Sequence, residues 1–203
     1  MQAATDPSLP PAQRRSAPGR LELVREFVNT ADLAAGEDEL AGPDALRAWL
    51  RERALIGPRD RLAPEDIQRA LAVREALRDL LEHRSGSLDE AAVRVLNAAG
   101  TGALLRVAFD RHGTPQPEPV AGGLDRALGE LFAIIHGAAI DGTWDRLKVC
   151  ADDGCRWAFY DRSRNRSRSW CNMASCGNRA KARSYRRRHS AAGGQPPPAH
   201  PAS

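Results

Sequence analysis

The chain has 203 residues, 42% of them hydrophobic, with 30 Lys and Arg against 26 Asp and Glu and a formal charge of +4. That length supports one ordinary core with a small appendage and excludes several large domains. No stretch approaches the roughly 18 apolar residues of a membrane span, and the Pro-containing start lacks the apolar centre of a secretion signal, so a cytoplasmic address and no membrane partner are expected.

Residues 1–19 and 190–203 are rich in Pro, Gly and small side chains and read as disordered tails. Between them, 20–145 read as a mainly α domain with a short β element, an α+β arrangement. Leu21, Val24, Phe27, Val28 and Ala31 recur at helical spacing, although Leu21 and Leu23 also permit a short strand. Asp44 is placed to cap a helix carrying Leu46, Trp49 and Leu50. Pro64 suits the first turn of another, with Glu65 and Asp66 at its positive end and Ile67, Leu71, Arg74, Leu77, Leu80 and Leu81 along one side. Ser87-Leu88-Asp89-Glu90 reads as a capping box. Leu104 to Phe109 reads as a strand, Pro115, Pro117 and Pro119 forbid helix until about Gly123, and a last long helix spans Leu124 to Ile140.

The charge is divided sharply. Residues 146–189 hold thirteen Arg and Lys against three Asp, a net of +10, while the rest of the chain holds seventeen basic and twenty-three acidic groups, a net of −6. A local positive field of that size attracts polyanions, of which nucleic acid is the commonest.

All four cysteines, Cys150, Cys155, Cys171 and Cys176, lie in the same segment as two C-x-x-x-x-C pairs fifteen residues apart. In a reducing compartment two disulfides or four unrelated thiols are poorer explanations than a metal site. Zinc takes four such ligands tetrahedrally, and four thiolates leave no open position for catalysis, so one structural Zn2+ is expected. Asp152-Asp153-Gly154 supplies a turn before Cys155. Arg156 to Asp161 alternates like a strand and Ser167 to Trp170 like its hairpin partner, with a helix following from about Cys176 to Arg188. Knuckle, β-hairpin and ligand-bearing helix suggest a small C-terminal treble-clef-like zinc finger. The hairpin offers Arg162, Arg164, Arg166 and Arg168; the helix offers Arg179, Lys181, Arg183, Arg186, Arg187 and Arg188. A solvated cationic helix is the plainer reading of the second group taken alone, but with the hairpin arginines a short distance away the two together make a candidate phosphate-binding set.

Cys176-Gly177-Asn178-Arg179, preceded by Phe159-Tyr160-Asp161-Arg162-Ser163-Arg164-Asn165 and Trp170-Cys171-Asn172-Met173, resembles the CGNR zinc-finger proteins over about forty residues. In that family the finger usually follows an ABATE domain, whose marks Phe27-Val28-Asn29-Thr30, Trp49 and Arg74-Glu75 resemble. Ser169 and Asn172 depart from the family pattern, where arginine and serine are common, and neither is a metal ligand. The resemblance implies a stress-induced bacterial transcription regulator with a DNA-binding finger. Asn29, Thr30, Trp49, Arg74 and Glu75 are then candidates to line a ligand pocket, with capping, core packing and a surface ion pair as the simpler account of the same residues.

The leading expectation is a zinc-dependent regulator that binds duplex DNA and uses its N-terminal domain to sense a small molecule or contact a protein. The alternative is an RNA-binding or ribosome-associated protein, since phosphate affinity serves both. An enzyme is not expected: His83, His112 and His136 form no ligand-like pair, and neither a phosphate loop nor a nucleophile elbow appears.

Overall fold

Leu21, Val24, Phe27 and Val28 fall on one side of the opening helix α1 (Leu21–Val28), and all four are buried. The computed structural model describes residues 16–82 and 89–192, with side chains as far as Arg186. After α1 the chain makes a minimal hairpin, β1 (Ala31–Asp32) with β2 (Glu37–Asp38). Helix α2 (Pro43–Glu52) follows, with Pro43 in its first turn and Gly42 at the N-cap. Asp44 therefore lies inside the helix rather than capping it, and pairs with Arg47 at 2.7 Å.

Helix α3 (Asp66–Glu82) begins two residues after Pro64, and Asp66 folds back to accept the Ala63 N–H at 2.7 Å. Its buried side runs through Ala70, Val73, Leu77 and Leu81, and it also carries Arg74 and Arg78 inward. Helix α4 (Glu90–Gly102) is capped by Asp89, which accepts from the N–H groups of Ala91 and Ala92. Ser87 and Leu88, the first half of the expected capping box, lie outside the described residues. The strand at Leu104 to Phe109 forms as β3 (Leu105–Phe109), and the proline-rich stretch is its antiparallel partner β4 (Pro115–Pro119). Helix α5 (Gly123–Ile140) completes the helical part.

A short 3-10 turn, Trp144–Arg146, leads into β5 (Leu147–Val149), which pairs antiparallel with β6 (Ala158–Tyr160) in the register Leu147↔Tyr160, Lys148↔Phe159 and Val149↔Ala158. The hairpin expected between Arg156–Asp161 and Ser167–Trp170 is not the one that forms. Residues 162–170 are loop, with the Ser163 and Arg168 N–H groups taken by the Asp161 carboxylate and the Arg166 and Arg168 carbonyls by the Lys148 ammonium.

The core gathers Val24, Phe27 and Val28 of α1, Val73 and Leu77 of α3, Leu128 and Leu131 of α5, and also Leu147, Val149, Ala158 and Tyr160 of the β5–β6 hairpin. Burial of such side chains supplies most of the folding free energy, at about 25 cal/mol per Å2. By contacts the chain divides at Cys171/Asn172, downstream of the charge boundary at Asp145. The first unit is the one above. In the second, Asn172 caps a five-residue π-turn, Met173–Gly177, by accepting the Ala174 N–H at 3.0 Å, and helix α6 (Asn178–Ala192) follows. A Cβ at Gly177 would meet the thioether of the exposed Met173, which would have to swing aside. The result is an α+β chain whose cysteine segment carries two short strands and a helix.

Candidate metal centre and cationic segment

Cys150 follows β5, and its N–H donates to Trp157 C=O at 3.0 Å, extending the ladder by one residue. The chain then reverses: the N–H groups of Cys155 and Arg156 both donate to Asp152 C=O, at 2.7 and 3.0 Å. The left-handed residue of this knuckle is Arg156, φ +44°, and not Gly154. That conformation costs a non-glycine residue about 1–2 kcal/mol. The Arg156 guanidinium offsets it by bonding Asp79 at 2.5 Å and Glu82 at 2.6 and 3.0 Å on α3. Ala151 N–H donates to Ser169 C=O at 2.8 Å, which brings the chain before Cys171 alongside the knuckle.

The four cysteine Sγ atoms lie within 4.8 Å of one another, and all four residues are buried. Cys155 and Cys171 Sγ are 3.7 Å apart. A tetrahedron with metal–sulfur bonds of about 2.3 Å has edges of roughly 3.8 Å, so this donor set fits zinc and not a disulfide, whose sulfurs stand about 2.05 Å apart. The electrostatics agree. Hydrogen bonds from Cys155 and Cys171 hold the Cys150 thiolate far below the ordinary thiol value, at about 2. The neighbouring Cys150 pushes Cys155 up to about 12 and Cys171 further still. Without a cation the cluster stabilises one thiolate at the expense of the others; a bound divalent metal removes that conflict. Arg179 adds a donor, its Nη2 standing 3.1 Å from Cys176 Sγ.

The loop carrying Arg162 to Arg168 is pinned by Asp161, a fully buried carboxylate. Asp161 accepts the Ser163 and Arg168 N–H groups, both at 2.9 Å, and the Lys148 ammonium at 2.9 Å. Burial alone would push this carboxyl up, but bonds from Ser163, Lys148 and Arg168 outweigh it and hold the carboxyl below its ordinary value. Lys148 also donates to Arg166 and Arg168 C=O, and Arg146 to Asp161 and Ser163 C=O. None of these three pinning roles was assigned from the sequence; the Tyr-Asp-Arg-Ser run within the quoted motif was the available signal.

The cationic residues separate by environment. Arg164 and Arg168 are exposed, with no side-chain partner among the described residues. Arg162 is half-buried, donates to Ser16 C=O at 2.9 Å and lies over the Tyr160 ring at 5.5 Å. Arg166 reaches Asp145 at 3.5 Å. Lys181, Arg183 and Arg186 are exposed on α6, and the side chains of Arg187 and Arg188 lie outside those described.

Asn29 bonds both main-chain groups of Ala158. Thr30 donates to Phe27 C=O, and Trp49 packs on Phe27 with the Arg53 guanidinium 4.1 Å from its ring centre. Arg74 grips Asp38 through two bonds, of 2.7 and 2.9 Å, and reaches Glu75 at 2.8 Å. These five residues line neither of two cavities on the described surface, one beside Arg20, Gln116 and Glu130 and the other beside Leu80, Leu96 and Phe132. No helix among the described residues is long and apolar enough to cross a membrane.

Comparison with known families matches residues 146–189 to the CGNR zinc finger and residues 21–142 to the ABATE family, described as "Putative stress-induced transcription regulator". A search of curated proteins finds no match to this chain. The four converged thiols fall within the matched finger and are placed to hold one zinc. On the strength of a match over more than half its length, the chain belongs to the ABATE family and carries a CGNR zinc finger C-terminal to that domain.

Proposed function

We propose that this protein is a bacterial cytoplasmic transcription regulator that uses its zinc finger to bind duplex DNA. The observation that carries the reading is the pair of exposed guanidinium groups of Arg164 and Arg168, without a side-chain partner among the described residues, on a loop whose backbone is fixed by Asp161, Lys148 and Arg146. A cation presented from a rigid loop loses little entropy on meeting a phosphate. In this reading Arg162, Arg164, Arg166 and Arg168 serve the DNA backbone. Arg183 and Arg186 on α6 face base edges, Lys181, Arg187 and Arg188 add to the field, and Arg179 braces Cys176. The N-terminal domain, residues 20–145, supplies sensing or protein contact, with Asn29, Thr30, Trp49, Arg74 and Glu75 as candidate groups.

The test is a titration of the zinc-loaded chain against duplex DNA and structured RNA at several salt concentrations. Duplex affinity that falls as a power of salt supports the reading. Tighter binding to RNA at every salt would replace it with an RNA-binding or ribosome-associated role. Affinity indifferent to salt would remove nucleic acid altogether.

A further inference from the structure

Strand β4 contains three prolines at alternate positions, Pro115, Pro117 and Pro119, and the parity of the hairpin explains why they are tolerated. Val120 N–H donates to Leu104 C=O at 3.1 Å and Asp110 N–H to Thr114 C=O at 3.0 Å. The residues exchanging bonds inside the hairpin are thus the even-numbered ones, and the pairs between them turn their main-chain groups outward. Those outward pairs are Leu105↔Pro119, Val107↔Pro117 and Phe109↔Pro115. The outer edge of β4 lacks an N–H at all three positions and is closed to a further strand.

The outer edge of β3 is the opposite case. It keeps every N–H and C=O at Leu105, Val107 and Phe109, and the sheet has two strands among the described residues, so this edge is open. Leu105 is anchored: with Pro119 it packs over Gly129 of α5, where an added Cβ would lie 3.4 Å from Leu105 Cδ2 and 3.5 Å from Pro119 Cβ. Beyond it Val107 and Phe109 are each 69% exposed. On the other face Arg106 is neutralised by Glu118 at 2.8 Å.

We propose that the β3 edges of two copies of this chain pair antiparallel about a two-fold axis at Val107, joining two hairpins into one four-stranded sheet across a homodimer. The strand is complementary to itself in that register. Val107 meets Val107, Leu105 meets Phe109 and Arg106 meets Ala108, so no like charges face each other. The outward-facing groups of the odd residues supply about six main-chain hydrogen bonds. Phe109 of each copy comes to rest beside the Leu105 of the other, the residue held on α5. Because β4 is closed, pairing ends at two copies and does not propagate into a fibre. This interface is independent of the nucleic-acid reading.

The test uses the full zinc-loaded chain in sedimentation equilibrium, with a dissociation constant on the order of micromolar expected. Wild type should show twice the mass of one chain at high concentration. Val107→Pro removes an N–H that the hairpin itself does not use, so it should be monomeric with unchanged circular dichroism. Phe109→Lys should also be monomeric, with the backbone untouched. Val107→Cys places two thiols on paired residues about 5.5 Å apart, within disulfide reach, and should cross-link in air, whereas Ala108→Cys should not. A wild-type monomer at roughly 100 μM, a concentration well above that constant, would overturn the proposal. So would a dimer that survives Phe109→Lys, or a Val107→Cys dimer that does not cross-link. Those last two variants decide the matter if Val107→Pro fails to fold.

Discussion

Asn29 donates its Nδ2–H to Ala158 C=O at 2.9 Å and accepts Ala158 N–H on Oδ1 at 2.7 Å, so one side chain just past α1 satisfies both main-chain groups of a buried residue 129 positions away. Ala158 pairs with Val149 on its other side, and Asn29 takes the place of a missing third strand. Asn29→Ala orphans two buried groups, each costing about 1–3 kcal/mol, and should lower unfolding free energy by roughly 2–5 kcal/mol. Asn29→Asp keeps the acceptor but sets a carboxylate oxygen against the Ala158 carbonyl, and should do no better at neutral pH. Urea titrations check both; a loss under about 1 kcal/mol for Asn29→Ala would mean that water replaces the amide.

The same packing makes zinc matter beyond the finger. Arg78 of α3 is fully buried and donates to the carbonyl of Arg156, next to Cys155, at 2.9 Å, and to Val28 C=O at 2.6 Å. A knuckle released from its metal withdraws one of those acceptors and loosens Leu147, Val149, Ala158 and Tyr160 from the core. Structural zinc sites contribute about 10–16 kcal/mol of binding free energy to folding. Metal analysis should find one zinc per chain, and both Cys171→Ser and a strong chelator should lower the melting temperature read from the helical circular dichroism signal. Superimposable melts with and without zinc would refute this coupling.

Arg74 is 6% exposed at its side chain and holds Asp38 through two hydrogen bonds. Burial alone would raise the Asp38 carboxyl, but the bonds from Arg74 and from Leu40 N–H outweigh it and hold the carboxyl below its ordinary value. A carboxyl lowered in the folded state contributes stability that is fully present above the unfolded value and is lost as pH falls through the folded one. The difference in urea midpoint between wild type and Asp38→Asn should therefore be constant from neutral pH down to about pH 4–5 and close below it. A gap that persists unchanged to pH 3 would rule out this linkage.

What could be read in advance follows from where the information lies along the chain. The cysteines were legible because four ligand-type residues at regular spacing in one short segment leave few alternatives, and α5 because its apolar repeat is long. The β5–β6 pairing was not, because Lys148↔Phe159 closes across the metal knuckle while the alternation of Arg156 to Asp161 suits several partners. The loop after Asp161 looked like a hairpin arm because nothing local reveals that Asp161 and Lys148 satisfy its amides and carbonyls. Arg74 read as a pocket candidate or half of a surface ion pair, and Arg78 carried no signal of its own; their burial depends on acceptors from Asp38, Val28 and Arg156 that only the tertiary fold supplies. Three alternate prolines argued against helix correctly, yet concealed an edge strand.

The environments of the finger arginines predict different outcomes for substitutions that look alike in sequence. Arg164 and Arg168 are exposed and unpartnered among the described residues, so alanine at either should leave stability unchanged. If each meets one phosphate, each substitution should weaken binding to every duplex alike and flatten the slope of log affinity against log salt by roughly 0.9. Arg162 is engaged with Ser16 C=O and the Tyr160 ring, so Arg162→Ala should lower stability and, with its guanidinium already partly held, flatten the salt slope less than Arg164→Ala does. Arg166, within 3.5 Å of Asp145, should fall between the two. Arg183→Ala and Arg186→Ala on α6 should act on sequence preference, since a bidentate arginine–guanine contact is worth about 1–3 kcal/mol of discrimination. Titrations of each variant on a preferred and a random duplex, at several salt concentrations and alongside urea melts, separate these effects. Equal flattening by Arg162→Ala and Arg164→Ala, with no change in stability for either, would show that burial does not divide this set and that the loop meets DNA with all its arginines.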